Sequence, residues 1–314
     1  MGLQILTYAC VMIFVVAAGV RIYRQLTLPV HLRWELYPVQ HEPSEKAGYG
    51  GSYMEEADWW LKPRVRSLLN EVKYMVPEIL LLRGLWEENR RLWKVSFPFH
   101  VGLYLLLGTF FLLLVGAIAM IFGVQVVPKN QGIISFLYSL TIGVGALGLI
   151  LGTGGTAGLL LRRVKDPELK RYSVPSDFVN LILFLVFFVV SLFAWLLHDL
   201  NFEGARAYLY SLLTFGGTPD GMIVGETLLG RLAIVFSSLI TAYVPLTHMA
   251  HMFMKYFMYH NVRWEDSPNL RGSSLEAKIL KNLGFKPTWA ASHVGAGKGK
   301  TWAEIAQSAS KEEK

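Results

Sequence analysis

The chain has a single cysteine, Cys10, among 314 residues. A lone thiol excludes an internal disulfide framework and a structural zinc site of thiolates. It also excludes a protein-held iron–sulfur cluster, which needs about four ligands. Charge is scarce as well: 17% of residues are Asp, Glu, Lys or Arg. No internal repeat is visible and few charges fall in the middle of apolar runs, which argues against a secondary transporter. No nucleic-acid motif appears, and the basic residues flank apolar runs. The net charge of +7 therefore does not point to nucleic acid, but suits anionic lipid or an acidic partner. The first apolar run lacks a basic leading region and a small-x-small cleavage site, so it reads as a retained span and not as a signal peptide.

What the chain has in quantity is apolar sequence. Hydrophobic residues make up 53% and come in blocks. Five blocks could cross a hydrocarbon core of ~30 Å, which takes about 20 helical residues. They are Leu3–Tyr23, Phe99–Val124, Ile133–Leu161, Phe178–Leu197 and Thr227–Tyr256. The expected fold is all-α, an integral membrane five-helix bundle. Lys and Arg concentrate on the cytoplasmic side of such proteins. Twelve lie between Arg21 and Lys94, five between spans three and four, and ten from Lys255 onward. The other two links hold only Lys129, and Arg206 with Arg231. The N-terminus is thus expected outside and the C-terminus in the cytoplasm, as a multi-pass protein of the inner membrane.

Before span two, His31–Gly51 reads as loop. The stretch Leu61–Lys94 carries apolar residues at three- and four-residue spacing, interrupted by Pro77. It predicts a basic amphipathic pair of helices, for the membrane surface or for a partner subunit. In span three, Gly152, Gly154 and Gly155 have no preceding strand, so they are not a phosphate loop. Small residues there permit close packing on a helix or a flat cofactor. Ser176 or Asp177 could cap span four. Its far end gathers His198, Asp199 and Glu203, either the wet end of a helix or a proton-handling or quinone-contacting group. The Gly-rich stretch 214–221 and Glu226 precede span five. The tail holds Trp289, His293 and Trp302 in polar, glycine-rich surroundings, and its tryptophans suggest docking into a partner.

Val244–Asn261, VPLTHMAHMFMKYFMYHN, places His248, His251 and His260 at the end of the last apolar run. Imidazoles in such surroundings are functional candidates. His100, near the start of span two, is expected at the same depth as His251. Two imidazoles on two helices can ligate a haem iron from opposite sides, an arrangement suited to electron transfer. Gly102 and the glycines of span three could supply the slot. Lys94, Arg162, Arg163, Lys255 and Tyr256 could meet the propionates. His248, three residues from His251, competes as ligand or serves a propionate or a quinone site. His260 is expected to face water. Residues 1–24 are then a first span, 25–98 a cytoplasmic amphipathic segment, 99–260 a four-helix haem-binding core and 261–314 a cytoplasmic docking tail.

FHVGL at Phe99–Leu103, RRVKDPELKRYSVPSD at Arg162–Asp177 and VPLTHMAH ending at His251 resemble the cytochrome b of respiratory nitrate reductase, its gamma subunit. The same family includes membrane subunits of heterodisulfide-reductase-like complexes of the Dsr, Tmc and Hmc type. The long first cytoplasmic segment and the tail look more like that branch. The resemblance implies axial ligation by His100 and His251. Ligands for a second, outer haem would stand at Phe110 and Ala233, so one b-type haem is expected. The implied role is electron transfer in anaerobic respiration between membrane quinone, menaquinone, and a cytoplasmic iron–sulfur subunit, with a periplasmic cytochrome c subunit as a further partner. Quinone candidates are His248, Tyr243 and Lys255 on the inner side and His198 with Asp199 on the outer. A haem-free membrane anchor that recruits soluble redox subunits is the alternative.

Overall fold

The computed structural model describes residues 2–27, 38–64, 66–127, 132–216, 227–288 and 299–308. Glu226, Trp289, His293, Lys129 and most of the Gly-rich stretch after Thr214 lie outside them. Among the described residues all regular structure is helical. The chain runs α1 (Gly2–Thr27), α2 (Ser44–Ala47), α3 (Leu68–Leu80), α4 (Arg83–Glu88) and α5 (Arg90–Ile121). It continues with α6 (Ile133–Lys165), α7 (Pro167–Arg171), α8 (Pro175–His198), α9 (Glu203–Leu213) and α10 (Leu228–Tyr243). After two 3₁₀ turns come α11 (His251–Met258), α12 (Ser274–Leu283) and α13 (Trp302–Gln307). Five of these are long and apolar enough to span a membrane: α1, α5, α6, α8 and α10 with its first 3₁₀ turn, to Leu246. A membrane span must satisfy its own backbone, and helices do so. The protein is a multi-pass membrane protein.

The expected bounds need three corrections. Span two starts at Arg90, where Asn89 accepts from the Leu92 amide, so His100 stands ten residues into its helix. Pro77 does not interrupt α3, which continues to Leu80; the break comes at Leu82, in the left-handed region at φ 53°. The last apolar run is not one helix to Tyr256. Pro245 has no N–H to continue the ladder, and Thr247 is extended at φ −115°, ψ −177°. His248 therefore lies in a 3₁₀ turn and His251 opens a new helix.

The chain forms two compact units. The first comprises Met1–Ala17 and Met75–His248. Its centre is the crossing of α5 and α6, made where side chains are missing. A Cβ on Gly102 would strike the Gly152 backbone, and one on Gly155 would strike the Phe99 backbone. Phe188 of α8 lies directly over Gly152. Leu113, Leu149 and Phe202 form a further buried cluster. The start of α1 is tied in by Thr7, whose hydroxyl meets Tyr208 Oη at 2.6 Å and Ser238 Oγ at 2.8 Å. Asp177 accepts from the Val174 amide at 3.1 Å, so of the two expected caps for α8 it is Asp177 that serves.

The second unit comprises Ala18–Tyr74 and Met249–Lys314. It is organised around Asp266, which is buried and accepts from His41 Nε2 at 2.9 Å, Tyr53 Oη at 2.6 Å, Arg64 Nη1 at 2.7 Å and Arg66 Nη2 at 2.8 Å. Burial alone would raise its pKa. The hydrogen bonds from His41 and Tyr53, the charge of His41 and the bond from Arg66 prevail and hold the carboxyl well below the usual carboxylate range. Burial, then the bond to Asp266, pushes the Tyr53 phenol up. Glu42 is buried beside it and accepts from Ser52 Oγ at 3.0 Å and the Tyr53 amide at 3.2 Å. Trp264 is 1% exposed, with His41, Tyr74, Tyr259 and His260 set edge-on around it.

Candidate functional site

His100 is half-buried on α5, two residues after the intrahelical Pro98. Its Nδ1 lies 2.8 Å from the carbonyl oxygen of Ser96, one turn back. A carbonyl only accepts, so Nδ1 carries the proton and the lone pair is on Nε2. Metal-ligating histidines are oriented in this way. Phe99 lies edge-on to the ring at 5.1 Å, and Tyr104, whose hydroxyl donates to Ile79 O at 2.8 Å, lies 6.4 Å away. His100 belongs to the first unit and His251 to the second.

His251 is exposed at the first position of α11. One turn on, the Lys255 ammonium lies 5.9 Å from the Tyr259 ring. Tyr256 stacks on His260 at 4.0 Å. His260 does not face water, contrary to expectation. Its Nδ1 donates to Tyr256 O at 2.8 Å, its Nε2 lies 3.5 Å from Glu71 Oε2, and its side chain is 16% exposed. Stacking between Tyr256 and Trp264 covers an imidazole that a hydropathy argument leaves at the edge.

His248 belongs to the first unit and turns to α8. Its Nε2 accepts from Asn180 Nδ2 at 3.1 Å and lies 3.8 Å from Asp177 Oδ1. Tyr243 Oη donates to the other end of the same amide, Asn180 Oδ1, at 2.6 Å. Asp177 Oδ2 accepts from Arg163 at 2.8 Å. The nitrogen that would ligate iron is thus occupied in His248. Asn180 escaped the sequence reading, although an amide inside FVNLILFLVFF is a signal that could have found it.

The basic rim is partly neutralised. Arg162 lies 3.7 Å from Asp166, and Arg163 donates to Ser173 as well as Asp177. Lys94 is exposed. Gly102 is accounted for by the α5–α6 crossing, where Gly152 meets it. At the other end of the first unit, His198 is exposed on the last turn of α8. Asp199 caps α9, accepting from the Gly204 amide at 3.1 Å and the Ala205 amide at 3.0 Å. Burial raises its pKa despite those bonds. Arg206 is buried; Nη1 donates to Val126 O at 3.3 Å, while Nε and Nη2 have no hydrogen-bond partner among the described residues.

Among the described residues no group of three or more His, Cys, Asp or Glu is placed to hold a metal ion. A haem iron takes four nitrogens from its macrocycle and only two ligands from protein. The donor chemistry of His100 and His251 fits that need. The family model for the nitrate reductase gamma subunit matches residues 85–265, more than half of the chain. No curated protein matches the chain.

Proposed function

Because the chain belongs to the nitrate reductase gamma subunit family, we propose that it is the cytochrome b-type electron-transfer subunit of a multi-subunit membrane oxidoreductase. In this reading it connects menaquinone in the inner membrane with a cytoplasmic iron–sulfur subunit. The lone Cys10 motivates that partner, since this chain cannot hold a cluster. The basic residues of segments 25–98 and 261–314 support a docking side in the cytoplasm, with the N-terminus outside. Their length favours the heterodisulfide-reductase-like branch, and a periplasmic cytochrome c subunit is proposed as a further partner.

Haem b, when bound, supplies a one-electron carrier inside the membrane. His100 and His251 would hold its iron, and a single haem is proposed because the resemblance puts the ligands of an outer haem at Phe110 and Ala233. The observation that carries this reading is the Nδ1 proton of His100 committed to Ser96 O, which presents Nε2 as the ligating nitrogen. Lys94, Arg162, Arg163, Lys255 and Tyr256 are proposed for the propionates.

The test is a reduced-minus-oxidised optical spectrum of the purified protein with haem quantified per chain. A b-type band near one haem per chain is expected. His100→Ala and His251→Ala each abolish it, and His248→Ala retains it. A spectrum without a b-type band removes the electron-transfer reading and leaves a haem-free anchor. Two haems per chain overturn the single-haem proposal alone.

A further inference from the structure

Within the first unit, the end of α3, the short α4 and the start of α5 fold as a hairpin from Met75 to Lys94. Its backbone polar groups turn inwards. The last carbonyls of a helix have no partner within it. Here Tyr104 Oη of α5 donates to Ile79 O at 2.8 Å, and Trp93 Nε1 donates to Leu81 O at 2.8 Å. At the reversal Leu82 is left-handed at φ 53°, and the Gly84 amide donates to Glu78 Oε2 at 2.8 Å. The apolar side chains turn outwards. Val76 and Leu80, one turn apart on α3, are exposed, as are Leu81, at 54%, and Trp86. Trp86 packs on Trp93 with ring centres 4.7 Å apart, and the Arg90 guanidinium lies 4.8 Å from the Trp86 ring. Arg83 and Glu87 pair with each other at 2.7 Å. A reversal built for water shows the opposite arrangement, with polar groups outside and carbonyls left to solvent.

The depth of the hairpin follows from α5. Val95–Ile121 carries no Asp, Glu, Lys or Arg and is about 40 Å long. That length matches hydrocarbon plus headgroup layers, about 40–45 Å. Lys94 then stands at the headgroups, and Tyr104 about 15 Å further in. The Tyr104 side chain slants back towards the start of its helix. The carbonyl it bonds therefore lies near the boundary of headgroups and acyl chains, where water is too scarce to serve it. Tyr and Trp favour that layer. We propose that the hairpin is inserted in the leaflet at which α5 begins, with Val76, Leu80, Leu81 and Trp86 among acyl chains and Arg90 with Arg91 on the phosphates of anionic lipid. Lipid is the occupant because the apolar face lies at the level of a membrane span and is bordered by Arg90 and Arg91, both exposed. The proposal needs neither haem nor quinone. It reserves this part of segment 25–98 for lipid and leaves the rest to a partner subunit.

The experiment reads spin labels on the full-length protein in lipid nanodiscs. Cys10→Ala clears the native thiol, and Val76→Cys, Leu80→Cys and Leu81→Cys each introduce one label. Collision with oxygen, which enters lipid, is compared with collision with a water-soluble nickel chelate. Phe111→Cys, at an exposed position midway along the span, is the lipid reference. In phosphatidylglycerol discs the oxygen-to-nickel ratio at the three hairpin positions is expected to reach at least half that of Phe111→Cys. Nickel dominating at these positions puts the hairpin in water and overturns the proposal. Exclusion of both reagents overturns it as well, because protein then covers the face. Should one variant fail to fold, the other two positions decide. Replacing phosphatidylglycerol by phosphatidylcholine is expected to lower the ratio at Leu80→Cys about twofold or more. Arg90→Gln with Arg91→Gln is expected to bring the phosphatidylglycerol value down to the phosphatidylcholine one. An equal ratio in the two lipids overturns the phosphate contact.

Discussion

The two units are built by opposite means. In the membrane unit the helices meet backbone to backbone, because Gly102, Gly152 and Gly155 carry nothing to hold them apart. In the other unit a buried carboxylate, Asp266, gathers two arginines, a histidine and a tyrosine, with Trp264 beside them. The difference fits the membrane and cytoplasmic placements proposed for most of the two units. Lipid tails are as apolar as leucine, so burying leucine between helices gains little. Close van der Waals approach discriminates helix from lipid, and glycine permits it. Water rewards apolar burial, but a small unit has little of it to offer. There the arrangement depends on groups that leave heavy penalties when one member is missing.

That contrast can be broken from either side. The largest effect is expected from Gly102→Val, which forces side-chain atoms into the Gly152 backbone. More than about 3 kcal/mol should be lost, because backbone cannot move aside as a flexible side chain would. Thermal unfolding in detergent measures it, and near-wild-type behaviour would remove the backbone-crossing account. Next comes Asp266→Ala, expected to cost about 3 kcal/mol by leaving His41 and Tyr53 without their acceptor. Limited proteolysis should then cut Ala18–Tyr74 or Met249–Lys314 faster while α5 and α6 stay protected. The pH dependence has a definite sign. A carboxyl whose folded pKa is depressed contributes fully above its unfolded value of about 3.9, and that contribution is lost as pH falls towards the lower folded value. Protection of the second unit should be flat from pH 7 to about 5 and fall below about 4.

Smaller effects sharpen the comparison. Asp199→Ala removes two first-turn amide acceptors from α9 and should cost about 1 kcal/mol, with Asp199→Asn milder. Gly154 has open space where its Cβ would go, so Gly154→Ala should be neutral or stabilise by up to about 1 kcal/mol in the same unfolding assay. A large loss at Gly154 would mean that glycine content, and not contact with a facing backbone, holds α6 in place.

By itself the sequence determined that five helices are long and apolar enough to cross the membrane, because a run of about 20 apolar residues has few other solutions. It also determined the family, through motifs that lie within residues 85–265. It misjudged the last apolar run, because hydropathy is blind to Pro245 and to the extended Thr247 that divide it. Only the tertiary structure decided that Gly102 meets Gly152, that His260 is covered by Tyr256 and Glu71, and that Asn180 joins Tyr243 to His248. It alone brought Asp266 to His41, 225 positions away. Periodicity and charge counts describe one segment at a time. A hydrogen bond between distant segments depends on which of many polar groups the packing places within about 3 Å.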